Sequence, residues 1–142
     1  CNTVYLDAFQ SFKYIFDILC NMRFIVPYKA LSDERGNLIE IVKSKNWKQM
    51  NYSFTKEGSI RGNHYHKTIE ELFYILKGEV KIEIHNLKTG MKETNIVKGG
   101  QGFIIELYEI HRVTALTDVE WIVLYSDVFD QTNPDIFRVD GA

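Results

Sequence analysis

The chain has 142 residues, which is enough for one domain with its own hydrophobic core and short for two. Hydrophobic residues make up 45% and charged residues 25% of the sequence, as in ordinary globular proteins, and the longest apolar runs are far shorter than a membrane span. The net charge is -2 and there is no long basic run, so electrostatics gives no reason to expect a nucleic-acid partner.

Residues 1–23 form a predicted N-terminal extension. Phe9, Phe12, Phe16 and Leu19 recur at helical spacing, so we expect a helix over about residues 7–21 that packs over a sheet or a partner subunit. The segment lacks the basic start and uniform apolar stretch of a secretion signal. Both cysteines of the chain lie in this segment and do not form a disulfide framework, which favours a reducing, cytoplasmic compartment.

From residue 24 to residue 142 the pattern predicts a β-barrel domain with a C-terminal tail. Short apolar or alternating runs are separated by turn residues, with no helical pattern between them, at 38–43, 49–55, 59–66, 71–77, 79–85, 91–97, 102–107, 111–115 and 119–126. Such a series is typical of an all-β sandwich or barrel. The tail, 127–139, contains Asn133-Pro134-Asp135, a turn that could begin a short helix, and we expect it to pack back on the barrel.

The strand predicted at 71–77 is apolar on both faces. If Glu71 points into the barrel, Phe73 and Ile75 point inward with it, and the outward row is also apolar: Leu72, Tyr74 and Leu76. An outward apolar row has to be covered by the N-terminal helix or by a second subunit. We therefore predict a homodimer.

Three histidines and one glutamate form a candidate metal-binding set. His64 and His66 are two residues apart, so an extended strand points both side chains to the same face. Glu71 follows a short polar break, and His111 lies on a later predicted strand. Three imidazoles and one carboxylate suit a divalent transition metal such as zinc, manganese, iron or nickel, with coordination positions left for water or substrate. His85, the fourth histidine, shares its strand phase with charged residues and is predicted to lie on a solvated face.

Two stretches of the chain resemble the motifs of the cupin superfamily. Gly58-x5-His64-x-His66-x4-Glu71-x6-Gly78 is similar to the first cupin motif in every position, and Gly100-x10-His111 resembles the second. The second motif usually carries Pro and Gly where this chain has Glu106 and Tyr108. The resemblance implies the cupin fold, a double-stranded β-helix or jelly-roll barrel, with His64, His66, Glu71 and His111 as ligands of one divalent metal.

Two further stretches resemble cupins that act on nucleotide-linked keto-sugars. Residues 33–41 are similar to the opening strand of such enzymes, and Arg61-Gly62-Asn63-His64-Tyr65-His66 resembles a stretch of the 4-keto-rhamnose 3,5-epimerases. In those epimerases the arginine binds substrate and the histidine is the base, which implies substrate binding by Arg61 and a base position at His64. Arg35, in the first of the two stretches, is expected to meet a diphosphate or keto oxygen as well, because a guanidinium binds such groups in a bidentate way.

The chain departs from those epimerases at His66, where they carry Gln, and at Glu70 and Glu71, where related sugar 3,4-ketoisomerases tend to carry Gln. A closer resemblance is to the cupin domain of bifunctional capsular-polysaccharide enzymes, which carries Arg-Gly-Asn-His-Tyr-His and ends in a stretch similar to residues 129–135. This resemblance implies C3 epimerisation of a nucleotide-linked 4-keto-6-deoxy sugar.

Several assignments stay open at this point. If His64 ligates the metal it cannot also be the free base. Metal-bound hydroxide and Glu70 are then candidates, although a solvent-facing carboxylate is the simpler interpretation of Glu70. A surface ion pair is an equal alternative for Arg35. Four tyrosines are candidates for a phenolic acid or for stacking on a base, and each is more often packing: Tyr65, Tyr74, Tyr108 and Tyr125. Competing functions are a non-catalytic metal- or sugar-binding module and an iron-dependent dioxygenase.

Overall fold

The computed structural model describes residues 22–139, and this part of the chain contains eleven β-strands and no helix. The strands are β1 (Arg23–Ile25), β2 (Tyr28–Asp33), β3 (Gly36–Glu40), β4 (Gln49–Thr55), β5 (Ile60–His64), β6 (Glu71–Lys77), β7 (Glu79–Asn86), β8 (Lys92–Lys98), β9 (Gly102–Ile105), β10 (Glu109–Ala115) and β11 (Val119–Tyr125). No helix of the described range is long and apolar enough to cross a membrane.

Two antiparallel sheets form the barrel. One has five strands in the order β1-β9-β6-β11-β4, and the other has four in the order β5-β10-β7-β8. Consecutive strands alternate between the two sheets from β4 to β7 and again from β8 to β11. This crossing is the arrangement of a jelly-roll, and it confirms the predicted all-β architecture.

Alternating side chains of both sheets fill the space between them. Val80, Ile82 and Ile84 of β7 are buried, as the alternating sequence of that strand predicts. Phe73 of β6 stacks on Phe103 of β9 with ring centroids 5.0 Å apart, and the remaining core residues come from both sheets. One contiguous core therefore holds the two sheets together.

Most predicted strands are confirmed. Those at 49–55 and 71–77 match β4 and β6 residue for residue, and the other predicted ends differ from the observed ones by no more than three residues. The predicted N-terminal helix lies outside the described residues. The tail does pack back on the barrel, but the helix expected to begin near Pro134 is wrong. Asp135 directs its carboxylate to residues 67–69 instead of to the amides that follow it, and residues 127–139 contain no helix.

Among the residues that the structure describes, the outward face of β6 is covered at one end only. Leu72 is buried, whereas Leu76 is 46% exposed. Ile104, the register partner of Leu72, and residues 41–44 line the same pocket. The open part of this sheet continues onto the edge strand β4, where alternate apolar side chains face outward: Met50, Tyr52 and Phe54.

The hairpin of β2 and β3 stands apart from the barrel sheets. Its two strands pair only with each other among the described strands. Four large apolar side chains of the hairpin are exposed: Tyr28, Leu31, Leu38 and Ile39. A two-stranded hairpin with an uncovered apolar surface is marginally stable on its own.

Candidate metal centre

Three histidine rings meet between the two sheets. His64 is the last residue of β5, His66 follows two positions later, and His111 on β10 is the register partner of His64. The ring centroids are 4.8 Å apart for His64 with His66, 4.8 Å for His64 with His111, and 5.4 Å for His66 with His111. One ring nitrogen from each histidine lies within 4.8 Å of the others. The fold thus brings together the three histidines that the sequence singled out.

A β-bulge next to His64 makes this approach possible. The register between β5 and β10 shifts so that His111 pairs with His64 and Arg112 pairs with Gly62, which leaves Asn63 as the extra residue. Gly62 and Asn63 both have left-handed backbones, with φ of 81° and 61°. A Cβ on Gly62 would lie 2.6 Å from the carbonyl oxygen and 2.9 Å from the ring Cδ2 of His111. Glycine at this position therefore makes room for the His111 ring.

Backbone carbonyls fix the orientation of all three rings. Nδ1 of His64 is 3.1 Å from the carbonyl oxygen of Gly62, and Nδ1 of His111 is 3.3 Å from that of Glu109. Nδ1 of His66 donates to the carbonyl oxygen of Asp135. A carbonyl oxygen only accepts, so each neutral ring carries its proton on Nδ1 and presents the Nε2 lone pair to a ligand. Metal-binding histidines are held in this way.

Glu71 completes the cluster from the opposite sheet. It is the first residue of β6, it is buried, and its Oε2 lies 3.1 Å from Nε2 of His111 and 3.5 Å from Nε2 of His66. These contacts lack hydrogen-bond geometry: among the described groups, Glu71 Oε2 and His66 Nε2 have no hydrogen-bond partner. Electron-pair donors that face one another without a proton between them repel, and a divalent cation in their midst removes this cost. The residues present therefore fit a metal ion.

The protonation states of His64 and Glu71 also suit a cation. Burial, with His111 and His66 close by, lowers the pKa of His64 to about 4, so its ring is neutral at pH 7. Burial alone would raise the pKa of Glu71, but His111 and His66 outweigh it and hold that pKa well below the ordinary range. Burial would lower the pKa of His66, but Glu71 and Asp135 outweigh it and raise that pKa. The carboxylate is thus ionised and His64 is free to act as a ligand.

Tyr125 supports Glu71 from the neighbouring strand. It is the register partner of Glu71 on β11, and the Glu71 carboxylate acts on its phenol. Burial and the negative charge of Glu71 raise the pKa of Tyr125 to about 12, so the phenol keeps its proton at neutral pH. The sequence marked Tyr125 as one of four tyrosine candidates without preferring it, because the strand register that places it opposite Glu71 is a property of the fold.

The departure from the second cupin motif is accommodated in the backbone. Tyr108 stands where the motif usually has glycine, and it adopts a left-handed backbone with φ of 65°. Its ring stacks on that of Tyr65, with centroids 6.1 Å apart, and Lys88 Nζ lies 4.5 Å from the centre of the Tyr108 ring. The turn before β10 therefore keeps the conformation that glycine favours, and His111 remains in the cluster.

The other predicted site residues lie apart from the histidines. Arg61, three residues before His64, is exposed, and its Nε is 3.4 Å from Thr55 Oγ1. No ion pair within the described range involves Arg61. Arg35 lies in the β2–β3 turn, where its Nη2 is 2.6 Å from an oxygen of Asp33.

Glu70 pairs with Lys45, and the structure does not bring this carboxylate into the histidine cluster. The catalytic role of Glu70 and the substrate-binding role of Arg35 therefore remain predictions. His85 is half-buried and lies outside the cluster within the described range.

Asp135 and Gly62 are the supporting residues that the sequence did not mark for this purpose. Both lie inside stretches that carried the family resemblance, residues 129–135 and 61–66. Their position in these stretches is the feature of the sequence that points to them. The contacts of Asp135 with His66 and of Gly62 with His111 join chain segments that are far apart in sequence.

Two crossing antiparallel sheets around a histidine cluster define a cupin-fold protein. A family model described as the polysaccharide biosynthesis C-terminal domain matches residues 31–137, and the chain belongs to this family.

Three known proteins are similar to this chain. The chain is 29% identical over 110 residues to a UDP-2-acetamido-2,6-beta-L-arabino-hexul-4-ose reductase of Pseudomonas aeruginosa, a match that covers 75% of this chain and only 30% of the reductase. It is 27% identical over 117 residues to a TDP-4-oxo-6-deoxy-alpha-D-glucose-3,4-oxoisomerase of Aneurinibacillus thermoaerophilus, covering 77% of this chain and 82% of that enzyme. The solved structure of the TDP-quinovose 3,4-ketoisomerase WlaRB of Campylobacter jejuni matches with a TM-score of 0.71 at 21% identity, covering 84% of this chain and 93% of that one.

Proposed function

We propose that this chain is a metal-dependent isomerase or epimerase of a nucleotide-linked 4-keto-6-deoxy sugar in surface-polysaccharide biosynthesis. The observation that carries the proposal is the set of three inward Nε2 atoms beside a buried, ionised carboxylate. The names of the relatives support the substrate class, since they include an oxoisomerase and a reductase of nucleotide-linked keto-sugars.

Epimerisation at C3 and migration of the ketone from C4 to C3 begin with the same step, removal of the C3 proton next to the ketone. This step places negative charge on the ketone oxygen. A divalent ion held by His64, His66, His111 and Glu71 would supply Lewis-acid stabilisation of that charge. The proposal therefore covers both outcomes, and the product distinguishes them.

The residues around the cluster have separable tasks in this proposal. With His64 as a ligand, the proton acceptor is a different group, and the ion pair with Lys45 gives no support for Glu70 in that role. Tyr125, the register partner of Glu71, keeps its proton at neutral pH and lies beside that carboxylate as a neutral neighbour. Arg61, exposed and outside every ion pair of the described range, is free to bind the diphosphate of the substrate.

The proposal is tested by proton exchange in heavy water. Metal-loaded protein is mixed with TDP-4-keto-6-deoxyglucose in D₂O, and the sugar is followed by NMR. An epimerase should place deuterium at C3 with inversion there, and a ketoisomerase should place deuterium at C4 of a product whose ketone has moved to C3. A variant with His64→Ala and His66→Ala should lose the exchange, whereas His85→Ala should retain it because His85 lies outside the cluster.

The competing functions give different results in the same samples. Binding of metal and nucleotide sugar with no exchange would identify a binding module. Oxygen consumption by the iron(II)-loaded protein would identify a dioxygenase. Either result contradicts the proposed function.

A homodimer is also part of the proposal. Within residues 22–139, the hairpin of β2 and β3 and the edge strand β4 both present exposed apolar side chains. In a two-fold dimer each hairpin could cover β4 of the partner subunit. This arrangement would bury the apolar surfaces of the hairpin and of β4 in both subunits and would form a closed assembly. Light scattering should give twice the chain mass, and a Leu38→Glu/Ile39→Glu variant should give the monomer mass. A monomeric parent protein would refute the dimer and leave the proposed chemistry untouched.

A further inference from the structure

The C-terminal tail is bound directly beside the first two histidines. Tyr65, between His64 and His66, forms two backbone hydrogen bonds with Phe137, with N to O distances of 2.9 and 3.0 Å. The ring centroids of Tyr65 and Phe137 are 5.5 Å apart, and Lys67 Nζ lies 3.9 Å from the centre of the Phe137 ring. The tail therefore extends the pairing of β5 beyond its last residue.

The Asp135 side chain holds the loop that joins two of the candidate ligands. Residues 67–70 connect His66 to Glu71, and the Asp135 carboxylate accepts hydrogen bonds from three consecutive amides of this loop. The distances are 3.0 Å from Lys67 N, 2.8 Å from Thr68 N and 2.8 Å from Ile69 N, and Thr68 Oγ1 donates as well at 2.9 Å. Hydrogen bonds to a charged acceptor are the stronger kind, so this loop has a fixed path.

The main chain of the same residue holds one ligand directly. The Asp135 carbonyl oxygen accepts the Nδ1 proton of His66, which is buried and whose Nε2 faces the centre of the cluster. We propose that Asp135 is a positioning residue of the metal centre, which uses its carbonyl to orient His66 and its carboxylate to set the spacing between His66 and Glu71. This inference rests on the proposed metal site, and it makes the tail an integral part of that site.

Asp135→Ala removes the side-chain acceptor of four donor groups while it keeps the backbone carbonyl. The loop and the tail then separate more easily, and His66 loses its fixed ring orientation. Loss of such supporting contacts typically weakens metal affinity by about 10- to 100-fold, and we expect a decrease of that size. Asp130→Ala is the matched control, because among the described residues the Asp130 carboxylate bonds within the tail, where it accepts from Thr132 N and Oγ1.

The test has one readout with metal and one without it. Zinc affinity is measured by competition with a chromophoric chelator for the parent, Asp135→Ala and Asp130→Ala proteins. In the metal-free proteins, ring ¹⁵N shifts report the His66 tautomer, which should be protonated on Nδ1 in the parent and in Asp130→Ala and mixed in Asp135→Ala. Should Asp135→Ala fail to fold, Asp135→Asn keeps one acceptor oxygen, and a smaller loss of affinity is expected for it.

Parent-like zinc affinity together with a parent-like His66 tautomer in the Asp135 variant would overturn the inference. Equal losses of zinc affinity in the Asp130 and Asp135 variants would overturn it as well, because any disturbance of the tail would then have the same effect. A parent protein that binds no zinc would contradict the metal site itself, and the tautomer readout would still decide the role of Asp135.

Discussion

Gly62→Ala tests the assembly of the histidine cluster most sharply, because the chain offers a matched control. Gly62 and Gly58 have nearly the same backbone, with φ of 81° and 78°, so alanine brings a similar strain at both positions, about 1–2 kcal/mol. They differ in their surroundings. A Cβ on Gly58 meets no atom within 4 Å, whereas a Cβ on Gly62 would lie 2.6 Å from the carbonyl oxygen of His111.

This contact is too short to be tolerated, so β10 or the His111 ring must move. Overpacking of this kind costs about 1–3 kcal/mol beyond the backbone strain. The free energy of unfolding of the metal-free protein should therefore fall by roughly 2–5 kcal/mol in Gly62→Ala and by about 1–2 kcal/mol in Gly58→Ala. The shifted His111 ring should also weaken zinc binding by about 10-fold or more in Gly62→Ala alone.

Urea unfolding followed by tryptophan fluorescence gives the stabilities, and chelator competition gives the affinities. Equal losses of stability and unchanged zinc affinity in both variants would refute the argument. Such a result would mean that Gly62 is required only for its backbone conformation and not for the space that the His111 ring occupies.

Three further predictions concern the cluster and the core. Replacing His64 and His66 together with alanine should remove bound metal, measured by elemental analysis, while circular dichroism still shows a folded barrel; unchanged stoichiometry would place the site elsewhere. Glu71→Gln preserves the shape of the side chain and an acceptor for Tyr125 but removes the negative charge, so zinc affinity should fall by about 10- to 100-fold with little change in the melting temperature. A parent-like affinity would exclude Glu71 as a ligand. Phe103→Ala removes a fully buried ring that stacks on Phe73 and should lower the free energy of unfolding by about 3–5 kcal/mol, and a loss below about 1 kcal/mol would contradict the described core.

The strands and the three histidines could be predicted because their signals are local. Alternation in β7 and the two-sided apolar run in β6 determine strand positions without reference to the rest of the chain. The spacing of His64 and His66 likewise follows from the geometry of one strand. His111 was assigned by its motif, and the fold pairs it with His64 although the motif's usual glycine is replaced by Tyr108.

The supporting contacts could not be predicted because they join distant parts of the chain. Tyr125 meets Glu71 through the register of β11 on β6, and Asp135 meets His66 through the path of the tail. The helix expected near Pro134 failed for the same reason. A local turn signal does not show that the carboxylate which would cap the helix is engaged by residues 67–69.

A cobalt-soaked crystal would show whether His64, His66 and His111 share one cation with Glu71. Anomalous scattering should show one strong peak per chain at about 2.0–2.2 Å from Nε2 of each histidine and from an oxygen of Glu71. A peak bound to other residues, or none between the two sheets, would contradict the account.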